Sequence, residues 1–449
     1  MPDRNSSQHL VAVIGAGPAG LYAAQYLARK GVRVVLFNRD IKPGGLAEYG
    51  IFPDKQKMRD GLRAQFQRIL RMPEITYQGN IAIGKSGDIK LDQLRQVGFQ
   101  AVMVTTGAQK NNWLGLPGED LAGVFQANDI VFHYNCLPTS EQKSFEFGKQ
   151  VAVIGAGNVM LDIVHYLKIN GNSGVVTAYA RRGPTEVRFD KETLEPVAEC
   201  LDMPVIEAEV RRVQPVSAGV GKDVESFFNL LKDTRNTLSD CDSGISIQFK
   251  FLRTPRRLLG GPDGRVNAIV FERNQLVLDG NQVIARGTGE METVPVDTVI
   301  FSIGSRVDEG FGLPTAHGTY ITSEEPRFPI DGISFEVYNP DLCASCEDIF
   351  VSGWARLPSE GIVGLARKDA ERGARALIAY LETLQPVSTE IAQTVIDRLP
   401  AVDKPVVDLV GLEKLWEAEL RKKQELGLAD FRFETQSEML AVIGGRKGV

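Results

Sequence analysis

The sequence predicts an α/β protein made of two parallel-sheet units, and three observations predict it. A short apolar run ending in a Gly-rich turn opens the chain, VAVIGAGPAG from Val11. Nearly the same run, VAVIGAGNVM, recurs from Val151, 140 positions later. Each is followed by a helix-compatible stretch and a second apolar run, so a strand–turn–helix–strand opening is duplicated. Apolar runs without alternation suit strands covered on both faces, as in a parallel sheet. The expected class is a pair of Rossmann-like dinucleotide-binding domains.

The bulk properties agree. A chain of 449 residues exceeds one ordinary domain, and 43% hydrophobic residues supply two cores. The net charge of −6 gives no global attraction to nucleic acid or anionic membrane. No run of about 18 apolar residues occurs, so no membrane span is expected. The start, MPDRNSSQ, has no apolar signal core, and five cysteines make no disulfide framework, which points to a reducing, cytoplasmic setting. His9, His133, His165 and His317 lack metal-ligand spacing, so no metal is expected.

In chain order, HLVAVIG predicts a first strand, a helix runs from Pro18 to Lys30, and Val32 to Phe37 is the second strand. The copy gives a strand at QVAVIG, a helix from Asn158 to Ile169 and a strand GVVTAYA. FQAVMVTTGA, carrying Gly107, and VDTVIFSIGS each complete one sheet, and residues 205–300 between them read as strand-rich, with charged turns in GGPDGR and RNQLVLDGNQ. A last strand, IFVSGW, precedes a helix from Gly364 to Leu384, a linker-like stretch to Pro405 and a charged helix from Leu412 to Glu425.

In the first turn Gly15 permits the tight strand-to-helix reversal. Gly17 lets a pyrophosphate approach the backbone, and Gly20 allows close helix–strand packing. The helix start offers free N–H groups and partial positive charge to phosphates. At the end of the second strand, where an acid normally holds the ribose, this chain has Asn38, with Asp40 as a substitute. The second turn keeps Gly155 and Gly157 but has Met160 at the third small position. Arg181 lies 24 positions after Gly157, with Arg182 next. Paired guanidiniums there select a 2′-phosphate, which a carboxylate would repel. The second fold therefore reads as an NADP site.

VIGAGPAG, the HYNCLP stretch, VIGAGNVMLD, ARRGPTEVRF, SGWARLPSEGIVG and the tail LWEAELRKKQELGLADFRFETQSEML occur in one order. In this the chain resembles the adrenodoxin reductase-like ferredoxin–NADP reductase family over nearly its whole length. The resemblance implies a glutathione-reductase-like arrangement. The FAD domain is discontinuous, 1–108 and 326–449, with an NADP domain, 109–325, inserted. It implies Gly15, Ala16, Gly17, Pro18 and Ala19 on the FAD pyrophosphate, Asn38 at the ribose and Leu46 over the flavin. Gly157, Asn158 and Val159 would hold the NADP pyrophosphate, and Arg181 and Arg182 its 2′-phosphate. Trp354 and Gly361 would flank flavin and nicotinamide, and Ile362 would give its amide to the flavin. The segment Gly361-Ile-Val363-Gly364 also opens a helix, whose positive end suits the flavin edge that gains charge on reduction.

The resemblance further implies hydride transfer from NADPH to FAD and single electrons passed to a ferredoxin-type iron–sulfur protein. Four departures bear on this. Pro53-Asp54-Lys55 stands where the family has Pro-Asp-His, altering a pairing with the motif aspartate Asp162. The family's WYNG-like stretch reads His133-Tyr-Asn-Cys136. Asn38 replaces the ribose acid, and the family's GPTG reads Pro358-Ser359-Glu360-Gly361. Arg211, Arg212, Arg253, Arg256 and Arg257 are candidate docking cations for an acidic carrier. Two alternatives stay open: an NADPH oxidoreductase acting on a quinone, a small molecule or a dithiol through Cys343 and Cys346, and a non-turning-over flavin subunit or redox sensor marked by Asn38, Met160 and Glu360.

Overall fold

The computed structural model describes residues 7–138, 144–236, 244–280, 282–358 and 363–444. Backbone contacts divide the chain into two compact units. Unit 1 is Met1–Asn111, Tyr134–Glu141 and Gly304–Val449; unit 2 is Asn112–His133 and Gln142–Ile303.

Unit 1 opens with β1 (Leu10–Ile14), α1 (Pro18–Arg29), β2 (Arg33–Asn38), α2 (Gln56–Leu70), β3 (Ile75–Gly79) and β4 (Ala101–Val104). Every residue of β1 is buried, as expected of a strand covered on both faces. Its side chains alternate between two cores. Val11 and Val13 join Leu21 and Leu27 of α1, and Leu10, Ala12 and Ile14 join Phe37, Phe99 and Val351. Pro18 sits at the start of α1, where its missing N–H costs nothing.

Unit 2 holds β5 (Val124–Gln126), β6 (Gln150–Ile154), α3 (Asn158–Ile169), β7 (Gly174–Ala180), α4 (Met203–Ala218), α5 (Glu225–Arg235) and β8 (Ile245–Phe251). It continues with β9 (Arg253–Gly260), β10 (Val266–Asp279), β11 (Gln282–Pro295) and β12 (Thr298–Phe301). A parallel sheet runs β8-β7-β6-β12-β5, and β9-β10-β11 form a separate antiparallel sheet. The expectation of strands from residue 205 onward is corrected here: α4 and α5 lie within residues 203–235, and strands begin only at Ile245. Asp202 caps α4 by accepting the Val205 amide, and Ile206, Val210, Val213 and Ser217 make its buried stripe.

Unit 1 resumes with β13 (Glu336–Asn339), β14 (Ala344–Val351), α6 (Val363–Leu381), α7 (Thr389–Asp397), α8 (Leu409–Leu426) and α9 (Gln436–Ile443). Its sheet runs β13-β14-β4-β1-β2-β3, parallel except where β13 meets β14. The stretch before Pro405 is not all linker, since α7 occupies it behind a Ser388 cap. Residues 304–325, grouped by sequence with the inserted segment, pack with unit 1. Ser305 and Arg306 pair with Asn111 and Lys110, and Val307 and Tyr320 enter the core beside β4. No described helix is long and apolar enough to cross a membrane.

Candidate nucleotide-binding sites

Three segments converge on the Gly15–Gly20 turn of unit 1. Gly15 has φ 103, and a Cβ there would lie 2.6 Å from the Thr105 carbonyl, so the end of β4 leading to Gly107 abuts the turn. A Cβ on Gly20 would fall 1.8 Å from the Gly15 carbonyl. Gly45 approaches Gly17, with its added Cβ 3.0 Å from the Gly17 Cα, which brings in Leu46. Gly353 lies against Ala19 and carries Trp354 with it. Gly17 differs from all of these, because nothing stands within 4 Å of the Cβ it lacks. Gly15 and Gly20 are glycines because protein needs the room; Gly17 leaves room that protein does not use. That open cradle at an uncapped helix start fits a dinucleotide pyrophosphate.

Asn38 proves to be a loop clamp. It is buried, its Oδ1 accepts the Ala16 amide at 3.1 Å, and its Nδ2 donates to the carbonyls of Asp40 and Lys42, both at 2.9 Å. Both its N–H donors are thus used within the loop. Asn38 thereby holds the turn in shape.

The same loop is braced by a buried charge network. Lys42, 3% exposed, meets Glu48 at 3.1 Å and Glu419 of α8 at 2.9 Å. Arg63 chelates Glu48 with bonds of 2.6 and 2.7 Å and reaches Asp430 at 2.9 Å. Arg59 also pairs with Asp430, and Arg432 donates to the carbonyl of Asn135 at 2.9 Å. Burial pushes the Glu48 carboxyl up, but Lys42 and Arg63 outweigh it and hold the group well below the usual carboxylate range. Sequence spacing gave no sign of this network, whose partners lie up to 377 positions apart.

Trp354 sits on a short turn, Gly353–Ala355, at the end of β14. Asp369 of α6 fixes that turn: its carboxylate accepts the Gly353 amide at 2.6 Å and pairs with Arg356, whose guanidinium lies over Phe335. Val363 begins α6. Gly361 and Ile362, expected beside the flavin, lie outside the described residues, as does Glu360.

In unit 2, Gly155 has φ 123, and a Cβ there would fall 2.1 Å from the Ser302 carbonyl. Met160 fills the third small position and is fully buried. Gly157 caps α3 without a side-chain bond, and Val159 is partly exposed at its first turn. The Asn158 side chain is engaged with Asp190, donating to its carboxylate at 2.7 Å and accepting its amide at 3.0 Å. Arg181 is exposed at the end of β7, whereas Arg182 pairs with Glu186 at 3.3 Å, and Lys222 approaches the same carboxylate at 3.7 Å. Asp162 is half-buried on α3 and engaged by neighbours.

The candidate docking arginines turn out to be largely neutralised. Arg211 pairs with Glu207, Arg212 with Glu209, Arg253 with Glu292 and Arg256 with Glu272, leaving Arg257 as the exposed one without such a bond among the described residues. Cys343 is exposed in the loop between β13 and β14, and Cys346 lies along β14 beside the second core; both are free thiols. Among the described residues no cluster of His, Cys, Asp or Glu could hold a metal.

Fold and loops together define a protein with two dinucleotide-binding units. Residues 9–228 match the family model described as pyridine nucleotide-disulphide oxidoreductase. The chain is 29% identical over 411 residues to the mitochondrial NADPH:adrenodoxin oxidoreductase of Salvelinus fontinalis, covering 83% of this chain and 78% of that one. It is 29% identical over 406 residues to the NADPH-ferredoxin reductase FprA of Mycobacterium leprae, covering 83% and 84%. The solved structure of Mycobacterium tuberculosis FprA in complex with NADPH superposes with a TM-score of 0.78 at 25% identity, covering 98% of this chain and all of that one. In sequence and in fold the chain is thus similar to the adrenodoxin reductase-like ferredoxin–NADP reductases.

Proposed function

We propose that the protein is an NADPH-dependent reductase that binds FAD in unit 1 and NADP(H) in unit 2 and delivers electrons to a ferredoxin-type iron–sulfur protein. The observation that carries the reading is the contrast at Gly17, a glycine with open space where Gly15, Gly20, Gly45 and Gly353 beside it meet protein atoms. FAD, when bound, supplies the change from two-electron to one-electron transfer.

The chain's own residues bind and orient. Gly15 to Gly20 and the α1 start hold the FAD pyrophosphate, with Asn38 and Lys42 keeping the loop in place. Trp354, fixed through Asp369, supplies a flat wall for the ring system. Arg181 takes the 2′-phosphate and excludes NADH by making that phosphate worth a charge-assisted contact. No side-chain acid or base is required for a hydride step, so these roles are positional.

Cytoplasmic placement belongs to the same reading and is supported by the free thiols Cys136, Cys200, Cys343 and Cys346, which suit a reducing compartment. The test of the function is an anaerobic absorbance titration of the purified yellow protein. NADPH should bleach it, NADH should do so far less well, and added ferredoxin should restore the colour. A yellow protein that NADPH leaves unbleached would mean a flavin subunit without turnover.

A further inference from the structure

We propose that Arg188 is a third phosphate-binding cation of the unit 2 nucleotide site, acting on the pyrophosphate and not on the 2′-phosphate. This rests on the reading of that unit as the NADP(H) site. The Arg188 amide donates to the Ala156 carbonyl at 3.1 Å, and Arg188 forms a parallel bridge with Gly157. Among the described residues, the Arg188 carbonyl oxygen is the atom found within 4 Å of where a Gly157 Cβ would stand, at 3.4 Å. Residue 188 is therefore laid directly along the glycine turn, inside the segment that follows Arg181 and Arg182.

The strap is locked two residues later. Asp190 exchanges two hydrogen bonds with the Asn158 side chain, and its other oxygen accepts the Thr193 amide at 2.8 Å. Each Asp190 oxygen thereby accepts a bond, one from the Asn158 side chain and one from the Thr193 amide. The Arg188 side chain is exposed and has no hydrogen bond or ion pair among the described residues. Arg182, Arg211, Arg212, Arg253 and Arg256 of the same unit all have carboxylate partners.

Placement decides which phosphate it serves. In a strand–turn–helix–strand unit the pyrophosphate lies at the turn and helix start, while the 2′ position lies at the end of the second strand. Arg188 is tied to the turn. Arg181 stands at the end of β7. Phosphate binding is thus divided between the arginines at the end of β7 and Arg188 on a separate segment.

The experiment measures binding of 2′-AMP, 2′,5′-ADP and NADP+ to the FAD-loaded protein by displacement calorimetry. Arg188→Ala should weaken 2′,5′-ADP and NADP+ by about tenfold, the worth of one charge-assisted hydrogen bond, and leave 2′-AMP unchanged. Arg188→Lys should recover part of the loss. Arg181→Ala should weaken all three. An Arg188→Ala protein that binds 2′,5′-ADP and NADP+ as the parent does, or loses 2′-AMP in proportion, overturns the proposal. Failure of the parent protein to bind NADP+, or indifference of NADP+ to Arg181→Ala, would instead overturn the underlying site. Unchanged melting of Arg188→Ala separates binding from folding, as expected at an exposed position.

Discussion

The Asp369 carboxylate accepts the backbone amide of Gly353 at 2.6 Å, and through that bond a helix sets the position of Trp354. Asp369 is 8% exposed and also neutralises Arg356. Asp369→Ala leaves that arginine partly buried and unpaired, and should cost about 3 kcal/mol of stability. With Trp113 and Trp416 changed to Phe, the emission of Trp354 should shift to the red. Unchanged emission and melting would show that the turn holds without Asp369.

Glycine substitutions should separate ligand room from protein room. Gly17→Ala meets no protein atom and has an ordinary extended backbone, so the flavin-free protein should melt within about 0.5 kcal/mol of the parent. Its FAD affinity should fall by at least tenfold. Gly20→Ala drives a Cβ into the Gly15 carbonyl and should prevent folding altogether. If both variants bind FAD normally, the pyrophosphate lies elsewhere.

Arg181 and Arg182 are unequal. Arg181→Ala should raise KM for NADPH roughly 10-fold to 100-fold through loss of a charge-assisted bond, and leave KM for NADH unaltered. Arg182→Ala should do less, because Glu186 already engages that guanidinium. Glu186→Gln releases both Arg182 and Lys222 and should lower KM for NADPH. A rise in KM for this last variant would count against the assignment.

The Glu48 network fixes the acid limit of unit 1. Glu48 and Asp430 both have carboxyl groups held below their ordinary values: burial pushes each up, and the surrounding Lys42, Arg63, Arg59 and Arg432 more than reverse it. A depressed folded value gives stability that is present above the unfolded value of 4.5 for Glu48 and is lost as pH falls below it. Melting temperature should therefore drop steeply below pH ~4.5. Glu48→Gln should start about 3 kcal/mol lower at neutral pH and show a shallower acid slope. Equal slopes would remove Glu48 from the acid transition.

Carrier docking should be insensitive to the paired arginines. Charge reversal at Arg211 or Arg256 releases Glu207 or Glu272 but removes no free cation, so ferredoxin reduction should change less than for Arg257→Glu. Stopped-flow reduction rates at low and high salt would decide this.

What the sequence disclosed was local. Gly15, Gly17 and Gly20 announce themselves by spacing, and α3 and β7 were bounded at Asn158–Ile169 and Gly174–Ala180 from apolar period and turn residues alone. Helix α4 was masked by its valines and by Pro204 and Pro215, although Asp202 and the stripe Ile206, Val210, Val213 were a readable signal. Helix α9 carried a Thr435–Glu438 capping box in plain view. The Lys42–Glu419 pair and the Arg188 strap depend on which separate segments meet, and no local pattern encodes that.

The pairing of Lys42 with Glu419 also sets an order of events at birth. The glycine turn is made early, but its brace is the 377-residue-distant α8, which a ribosome adding 5–20 residues per second delivers roughly 20–75 s later. Until then Lys42 and Glu48 have only part of their counter-charge. Helix α8 is therefore the last latch on a loop whose first residues were laid down at the start.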